Sequence, residues 1–215
     1  MTTQTSPHRK AARTYGLFFL LAFLSYGAGS GITASMGGDL TAIADAKSTF
    51  TIGILLMAIV HTFVNIGLAT VMLPILKPFN KTVTYGYFAA AITATTVAVI
   101  GAIFMALLVP LSDVTTDTET LAMLLNKGSF YAYQISMTIW ELGGLMFVYV
   151  LGKSNLVPRL FPIWGAFGYL VFMTGTTAEM FGYPIGVMLS APGGLFEVSL
   201  SLWLIFKGFN PSIKS

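Results

Sequence analysis

Long apolar runs alternate along this chain with short polar segments. Five of the runs have limits that the polar residues set clearly, at about 14–35, 50–76, 83–111, 128–152 and 160–181. A helix needs roughly 20 residues to cross the hydrocarbon core of a bilayer, and each run reaches that length. The pattern predicts an all-α polytopic membrane protein in which these runs are spanning helices.

The last apolar run, 182–207, has two interpretations. It could be one kinked span, or 182–191 could be a re-entrant or surface piece followed by a helix that starts at Ser190, with Pro192 in its first turn. The second interpretation is favoured, because Pro192 and the two glycines after it would weaken a helix interior twice. In both cases six spans are predicted.

Two polar segments carry weaker helical signals. Leu40 and Ile43 are three residues apart in segment 38–49, which indicates a short interfacial helix there. The longest loop, 112–127, could form one or two interfacial turns from Thr120 onward. The predicted organisation is a tail at 1–13, a six-helix membrane domain at 14–207 and a second tail at 208–215.

Charge is scarce and is divided between the two sides of the predicted bundle. Only 9% of the residues are charged, against about 25% in soluble domains. With six spans, nine of the eleven basic residues lie on the side of the two termini, and only Lys47 and Lys127 lie on the other. The acidic residues outside the spans all lie with Lys47 and Lys127: Asp39, Asp45, Asp113, Asp117 and Glu119. The positive-inside rule then predicts cytoplasmic termini, and basic residues scattered singly do not indicate nucleic-acid binding.

Glu141 is the feature that a plain membrane bundle does not explain. A carboxylate at mid-bilayer costs about 2.5 kcal/mol or more unless it is protonated, paired or hydrated. Gln134, Thr138, Glu141 and Gly144 follow one another at i, i+4, i+7 and i+10 and share one helix face. His61 and Asn65 share a face of the second span, and His61 lies at a depth comparable to that of Glu141.

Two more carboxyls belong to the spans. Glu197 lies near the midplane if its helix starts near Tyr183, and about two turns from the outer surface if it starts at Ser190, whereas Glu179 lies near the outer boundary in both cases. We hypothesise that four side chains converge on one internal ligand or proton-relay site, open outward past Glu179: His61, Asn65, Glu141 and Glu197. The alternative is that each carboxyl is a protonated hydrogen-bond donor that ties helices together.

Small residues and absent motifs complete the sequence evidence. Gly27 and Gly31 predict a groove for close helix packing, and Gly193 and Gly194 predict a small face turned into the bundle. A metal site is the least favoured role for the polar groups, because the chain has no cysteine and no HExxH spacing. No cofactor is expected, since His61 is the single mid-membrane histidine and no lysine lies mid-span.

Three stretches resemble a known family. They are RKAARTYG at 9–16, KSNLVPR at 153–159 and, as the closest match, APGGLFEVSLSLWLIFKG at 191–208. Together they are similar to the bacterial integral-membrane proteins of the domain of unknown function 4386 type. The resemblance implies a six-span protein of a bacterial cell membrane and supports the late start of the last helix. It implies no activity.

Three classes of function remain open. The first is binding or transport of a small solute, coupled or not to protons, along a hydrated path to Glu141. The second is a non-catalytic subunit, such as a sensor, an immunity protein or an assembly partner, which would use a helix face such as that of Gly27 and Gly31. An intramembrane enzyme acting on a lipid, with Glu141 and His61 as acid and base, ranks behind both. The expected partners are the bilayer and an unidentified small molecule or protein.

Overall fold

The computed structural model describes residues 6–114, 116 and 118–210, and the regular structure in these ranges is entirely helical. The α-helices are α1 (Ser6–Ser35), α2 (Leu40–Asp45), α3 (Lys47–Leu55), α4 (His61–Leu76), α5 (Lys81–Ala106), α6 (Leu108–Leu111), α7 (Glu119–Ser154), α8 (Leu160–Met180) and α9 (Gly186–Phe206). A π-helical turn, Leu56–Val60, joins α3 to α4.

Five helical stretches are long and apolar enough to cross a membrane: His8–Ser35, Lys47–Leu76, Lys81–Leu111, Glu119–Ser154 and Gly186–Phe206. This finding confirms the predicted all-helical, multi-pass membrane fold. Helix α8 is not among the five, although its 21 residues equal the length of α9. At about 1.5 Å per residue it reaches roughly the 30 Å of a hydrocarbon core. The sixth span therefore stays a prediction.

The long helices form a closed ring in chain order. Helix α1 packs on α4, α4 on α5, α5 on α7, α7 on α8, α8 on α9, and α9 returns to α1. Short connections make consecutive members of the ring antiparallel, as in up-and-down bundles. Helices α1 and α7 are not neighbours in this order, and their aromatic side chains meet across the centre of the ring.

The two ends of the ring differ in their packing. We call the end with the start of α1 and the end of α9 the proximal end, and the end with α2 and α6 the distal end. The larger cluster of buried apolar residues occupies the proximal half and includes Leu68, Leu76, Phe147, Leu151 and Leu200. A smaller cluster occupies the distal half and includes Ile43, Phe50, Leu108 and Leu125.

Local signals explain several helix ends. The Asp39 carboxylate accepts the backbone N–H of Thr41 at 2.9 Å and so caps α2. Asn80 caps α5 in the same way through the N–H of Val83, at 3.1 Å. Asn155, at φ 53°, ends α7 in the left-handed conformation that asparagine tolerates. The interfacial helix predicted at 38–49 is α2.

The predicted start of the last helix was wrong by four residues. Helix α9 begins at Gly186, so Pro192 lies inside it. The Ser190 hydroxyl is no N-cap, because it donates to the carbonyl of Val187 within the helix at 2.7 Å. The Glu179 carboxylate, at the end of α8, accepts the N–H of Gly186 at 2.9 Å instead. This contact caps the helix one turn earlier than the sequence suggested.

Two other helices begin earlier in the chain than predicted. Helix α7 is continuous from Glu119, so the turns expected in the loop belong to the spanning helix itself. Helix α1 already begins at Ser6, inside the predicted tail. In the second tail, the backbone N–H of Asn210 donates to the carbonyl of Leu156 at 2.7 Å. The remaining tail residues, 1–5 and 211–215, and the loop residue Asp117 lie outside the described residues.

Candidate intramembrane site

Aromatic residues of α1 and α7 meet in pairs along the centre of the ring. Tyr26 and Phe19 are two turns apart on α1, and their partners Tyr133 and Trp140 are two turns apart on α7, so the same faces of two antiparallel helices oppose each other. We call the three pairs the central aromatic column: Tyr26–Tyr133 with ring centroids 5.8 Å apart, Phe19–Trp140 at 6.2 Å and Tyr15–Phe147 at 5.5 Å.

Glu197 joins this column from α9. Its Oε1 accepts a hydrogen bond from Nε1 of Trp140 on α7 at 3.2 Å and another from the hydroxyl of Tyr169 on α8 at 3.0 Å. The residue is only 8% exposed. Both donors are uncharged groups, so the carboxyl has hydrogen bonds but no counter-charge from them.

Gly144 makes the room that this arrangement needs. A Cβ atom at Gly144 would lie 2.5 Å from the ring of Tyr169, which is far inside contact distance. The tyrosine ring therefore rests directly on the backbone of α7, and its hydroxyl reaches Glu197. Gly144 shares the predicted polar face of α7 with Glu141, and its role is steric.

Glu141 is completely buried on α7. Its Oε2 accepts from the hydroxyl of Thr176 on α8 at 3.2 Å, and that hydroxyl lies 3.0 Å from the hydroxyl of Thr138. Thr138 in turn donates to the backbone carbonyl of Gln134 at 2.9 Å. Oε1 of Glu141 has no hydrogen-bond partner among the described residues. A buried polar atom without a partner costs about 1–3 kcal/mol, so this oxygen needs an explanation.

The two buried carboxyls lie close enough for their charges to interact. No lysine or arginine neutralises them, since the one salt bridge in the described part of the chain joins Lys47 to Asp113 at the distal end. Glu141 and Glu197 therefore share a low-dielectric interior without a cation from the protein. A carboxyl in such a place is stable as the neutral acid or beside a bound cation.

His61 and Asn65 form a separate pair. Nδ1 of His61 donates to the carbonyl of Ala22 on α1 at 3.1 Å, and Nε2 accepts from Nδ2 of Asn65 at 2.9 Å. Both ring nitrogens are thus engaged in one tautomer. The imidazole packs against Tyr26, with centroids 5.0 Å apart. His61 contacts neither buried carboxyl, and Tyr133 stands between them and Tyr26.

Of the four side chains predicted to converge, two lie near each other in the structure. The structure brings Glu141 and Glu197 together, and it places His61 and Asn65 behind the Tyr26–Tyr133 pair. Sequence reasoning missed Trp140 and Tyr169 as partners of Glu197, and Thr176 as the partner of Glu141. Trp140 stands directly before Glu141 in the chain, but nothing in the sequence says which glutamate it reaches.

A π-helical turn sets the position of His61. The backbone N–H of His61 bonds to the carbonyl of Leu56, five residues back, at the end of the turn Leu56–Val60. Such a turn rotates the following helix relative to the preceding one and is frequent at functional sites. Here it lies immediately before the histidine that donates to α1. No motif in the sequence signals it.

Glu179 lies at the distal end of α8, near the predicted outer boundary. Its Oε1 caps α9 through Gly186. It is half-buried and also lies within electrostatic range of Tyr133. The structure thus places Glu179 next to the aromatic column rather than next to Glu141 itself.

The close helix packing predicted at Gly27 and Gly31 of α1 takes place at a different glycine. A Cβ atom at Gly27 or at Gly31 would meet nothing within 4 Å, so neither packs against another helix of this chain. The close approach is made at Gly29, where a Cβ atom would lie 2.5 Å from the carbonyl oxygen of Gly53. The repeat offers two faces, and the fold uses the one between the predicted residues.

The glycines of α9 face inward along two different helices. A Cβ atom at Gly168 of α8 would lie 2.8 Å from Cα of Gly193, so these two backbones touch. Gly194 faces the ring of Phe23 on α1 at ordinary contact distance, 3.6 Å from its would-be Cβ. The close approach of α8 to α9 therefore depends on Gly168, whereas a Cβ atom at Gly193 or Gly194 would meet its neighbours at ordinary contact distances.

The ring of helices contains cavities of very different size. A crevice of about 1120 Å³ opens at the distal end, between the end of α1, helix α2 and the first turns of α7. An enclosed space of about 10 Å³ lies beside Tyr15, Tyr87 and Tyr169. That second volume is close to the minimum for one water molecule. Among the described residues, no group of three or more histidine, aspartate or glutamate side chains is placed to hold a metal ion.

Comparison with known proteins gives one match. Residues 14–208 match the family model described as "Domain of unknown function (DUF4386)". No curated protein and no solved structure matches the chain.

Proposed function

The chain belongs to the domain of unknown function 4386 family, and on that premise we propose that it binds or transports a small solute or protons through its interior. In this proposal Glu141 and Glu197 are the groups that take up and release protons. The protein is a six-span protein of a bacterial cell membrane, with α8 as the fifth span. No nucleic acid takes part.

Charge supports an orientation with the proximal end in the cytoplasm. The described basic residues of that end are all exposed: Arg9, Lys10, Arg13, Lys77, Lys81, Lys153, Arg159 and Lys207. The described acidic residues outside the long spans lie at the distal end, in α2 and the loop before α7, or at the first residue of α7. The positive-inside rule places the basic end in the cytoplasm.

One observation carries the functional proposal: Glu141 is fully buried, has an oxygen without a described partner, and lies near a second buried carboxyl. Retaining an acid at this depth costs about 2.5–3.5 kcal/mol on insertion scales. Glu141 holds the helices together weakly, through one hydroxyl at 3.2 Å. A purely structural role would not account for that cost, whereas exchange of a proton requires such a group.

The intramembrane acid–base pair of the enzyme hypothesis is not supported by the geometry. His61 uses both ring nitrogens with Ala22 and Asn65. Glu141 bonds to Thr176 on the other side of the aromatic column. No hydrogen bond joins the two groups among the described residues, so the proposal does not use them as an acid–base pair.

Proton movement can be tested directly. The purified protein is reconstituted into liposomes that contain a pH-sensitive dye, and a pH step is applied while potassium and valinomycin compensate charge. We expect proton uptake with the wild type and loss of uptake in Glu141→Gln, which has nearly the same shape. The control is Asp45→Asn, an exposed acid at the end of α2. Unchanged uptake in a folded Glu141→Gln protein would refute the proposal.

A further inference from the structure

The distal crevice, with a volume of about 1120 Å³, is large enough to admit a solute. One wall is a single face of α7, which presents Glu119, Met123, Asn126, Lys127 and Phe130 to it. The opposite wall is the end of α1 together with α2. Phe130 is the lining residue of α7 that lies farthest from the distal end, one turn before Gln134.

The crevice continues the axis of the central aromatic column. Thr33 lines it and lies two turns beyond Tyr26 on α1, while Asn126 lines it and lies two turns before Tyr133 on α7. The same two helix faces that form the crevice walls therefore meet below it, first at the Tyr26–Tyr133 pair. That pair lies inward of the crevice, two turns from Thr33 on α1 and two turns from Asn126 on α7.

Two buried acceptor atoms without described partners follow one another on α7 at this level. Oε1 of Gln134, a residue only 5% exposed, and Oε1 of Glu141 both lack a hydrogen-bond partner in the described part of the chain. The hydroxyls of Thr138 and Thr176 lie next to Glu141. Unpaired acceptors in series match a donor that arrives from outside, and a hydrated proton is the smallest such donor.

We infer that the distal crevice is the vestibule through which water delivers protons to Glu141, and that the Tyr26–Tyr133 pair is the gate between them. This inference rests on the proposed function and adds its entrance and its gate. His61 then has a positioning role: it is fixed by Ala22 and Asn65, and its ring holds Tyr26 in place.

The groups that face this passage are known from each surrounding helix. In the crevice the titratable groups are Asp39, Glu119 and Lys127. Inward of it they are Tyr26 on α1, His61 on α4, Tyr133 and Glu141 on α7, Glu179 on α8 and Glu197 on α9. Below Glu197 the proximal apolar cluster fills the ring. The structure is thus accessible from the distal side up to the gate and closed on the proximal side.

Water access to Glu141 can be measured without any transport assay. A water-soluble carbodiimide with a small amine converts accessible carboxyls to amides, and peptide mass spectrometry follows the rate at Glu141. We expect Tyr133→Ala to speed this reaction several-fold, and Tyr133→Phe, which keeps the ring, to leave it at the wild-type rate. The matched control is Tyr131→Ala, because Tyr131 is 46% exposed on the outer side of the same helix. Equal rates of carbodiimide reaction at Glu141 in Tyr133→Ala and Tyr131→Ala would show that the Tyr26–Tyr133 pair is not a gate.

A second arm leaves the gate intact, in case Tyr133→Ala does not fold. The chain has no cysteine, so an introduced one is the single thiol. Modification of Phe130→Cys, at the bottom of the crevice, by a charged methanethiosulfonate should slow carbodiimide reaction at Glu141 several-fold. The same treatment of Tyr131→Cys should not. Slowing in neither or in both variants would overturn the vestibule.

The outcomes separate the two proposals. One outcome is that Glu141→Gln loses proton uptake while modification of Phe130→Cys does not slow the carbodiimide reaction at Glu141. That outcome would reject the vestibule and keep the proposed function. Retained uptake in Glu141→Gln would reject the proposed function whatever the accessibility results. A sodium-dependent, pH-independent protection of Glu141 from the carbodiimide would identify a metal cation instead of a proton and would overturn the inference.

Discussion

The hydroxyl of Tyr169 donates to Oε1 of Glu197 at 3.0 Å and thereby joins α8 to α9 inside the ring. Glu197 is in addition bonded to Trp140, so three helices meet at one carboxyl. The other buried carboxyl, Glu141, has a single side-chain partner, the hydroxyl of Thr176. The two carboxyls therefore differ in how much the fold depends on them, and this difference can be measured.

Removal of the Tyr169 hydroxyl should weaken the fold modestly. In Tyr169→Phe one buried hydrogen bond to Glu197 is lost, and we expect the free energy of unfolding to fall by about 0.5–1.5 kcal/mol. Thermal unfolding in detergent, followed by circular dichroism, measures the change. Tyr149→Phe is the control, because Tyr149 is 49% exposed on the outer surface. Equal effects of the two substitutions would contradict the assignment.

Replacement of each carboxyl by an apolar side chain should affect the free energy of unfolding differently at Glu141 and at Glu197. Glu141→Met removes an oxygen without a described partner, and replacing such a group by an apolar one is neutral or stabilising. Glu197→Met leaves Trp140 Nε1 and the Tyr169 hydroxyl without their acceptor, and we expect a loss of about 1–3 kcal/mol.

The same thermal unfolding assay checks both variants. A stabilised or unchanged Glu141→Met protein that has lost proton uptake would show a residue kept for function at no benefit to stability. A large loss of stability in Glu141→Met would instead favour the interpretation of this carboxyl as a structural link between helices.

The cap that Glu179 provides for α9 predicts a local effect. Glu179→Ala leaves the N–H of Gly186 without its acceptor, and loss of a cap costs about 1 kcal/mol. Hydrogen–deuterium exchange of the first turn of α9 should become faster, with little change elsewhere. Glu179→Gln keeps an acceptor oxygen and should restore most of the protection. Faster exchange along the whole of α9 would show that the contact is not a cap.

The two faces of the α1 glycine repeat should respond differently to a large side chain. Gly29→Leu places a side chain 2.5 Å from the carbonyl oxygen of Gly53, and overpacking of this kind costs about 1–3 kcal/mol. Gly27→Leu meets open space and should leave the free energy of unfolding unchanged. Reduced recovery of a co-purifying protein in Gly27→Leu alone would support the hypothesis of a non-catalytic subunit. A lower free energy of unfolding of the Gly27→Leu monomer would contradict the statement that this helix face contacts no other helix of the chain.

The membrane fold could be read from the sequence because hydrocarbon imposes one strong requirement. Backbone groups must be paired within each segment, so long apolar runs become helices. Helix ends were less predictable. The start of α9 depends on Glu179, which belongs to another helix, and Pro192 is tolerated inside α9. The extension of α7 to Glu119 passes through residues whose polarity suggested a loop.

The candidate site could be predicted in its residues but not in its pairing. A buried carboxyl stands out in an apolar run, which is why Glu141 and Glu197 were identified. Their proximity depends on how each helix is rotated about its axis, and that rotation is set by contacts such as Gly144 with Tyr169. The π-turn before His61 changes the rotation of α4 midway along a span. Sequence periodicity assumes a regular helix and cannot show such a change.

The shared spacing of the Tyr26–Tyr133 and Phe19–Trp140 pairs along α1 and α7 has a mechanical consequence. Because these two pairs are seven residues apart on both helices, a slide of α1 along α7 would disengage both contacts at once, and intermediate positions would keep neither of them. Motion between these helices should therefore occur as an abrupt switch between discrete alignments, with a lag before it, rather than as a gradual drift.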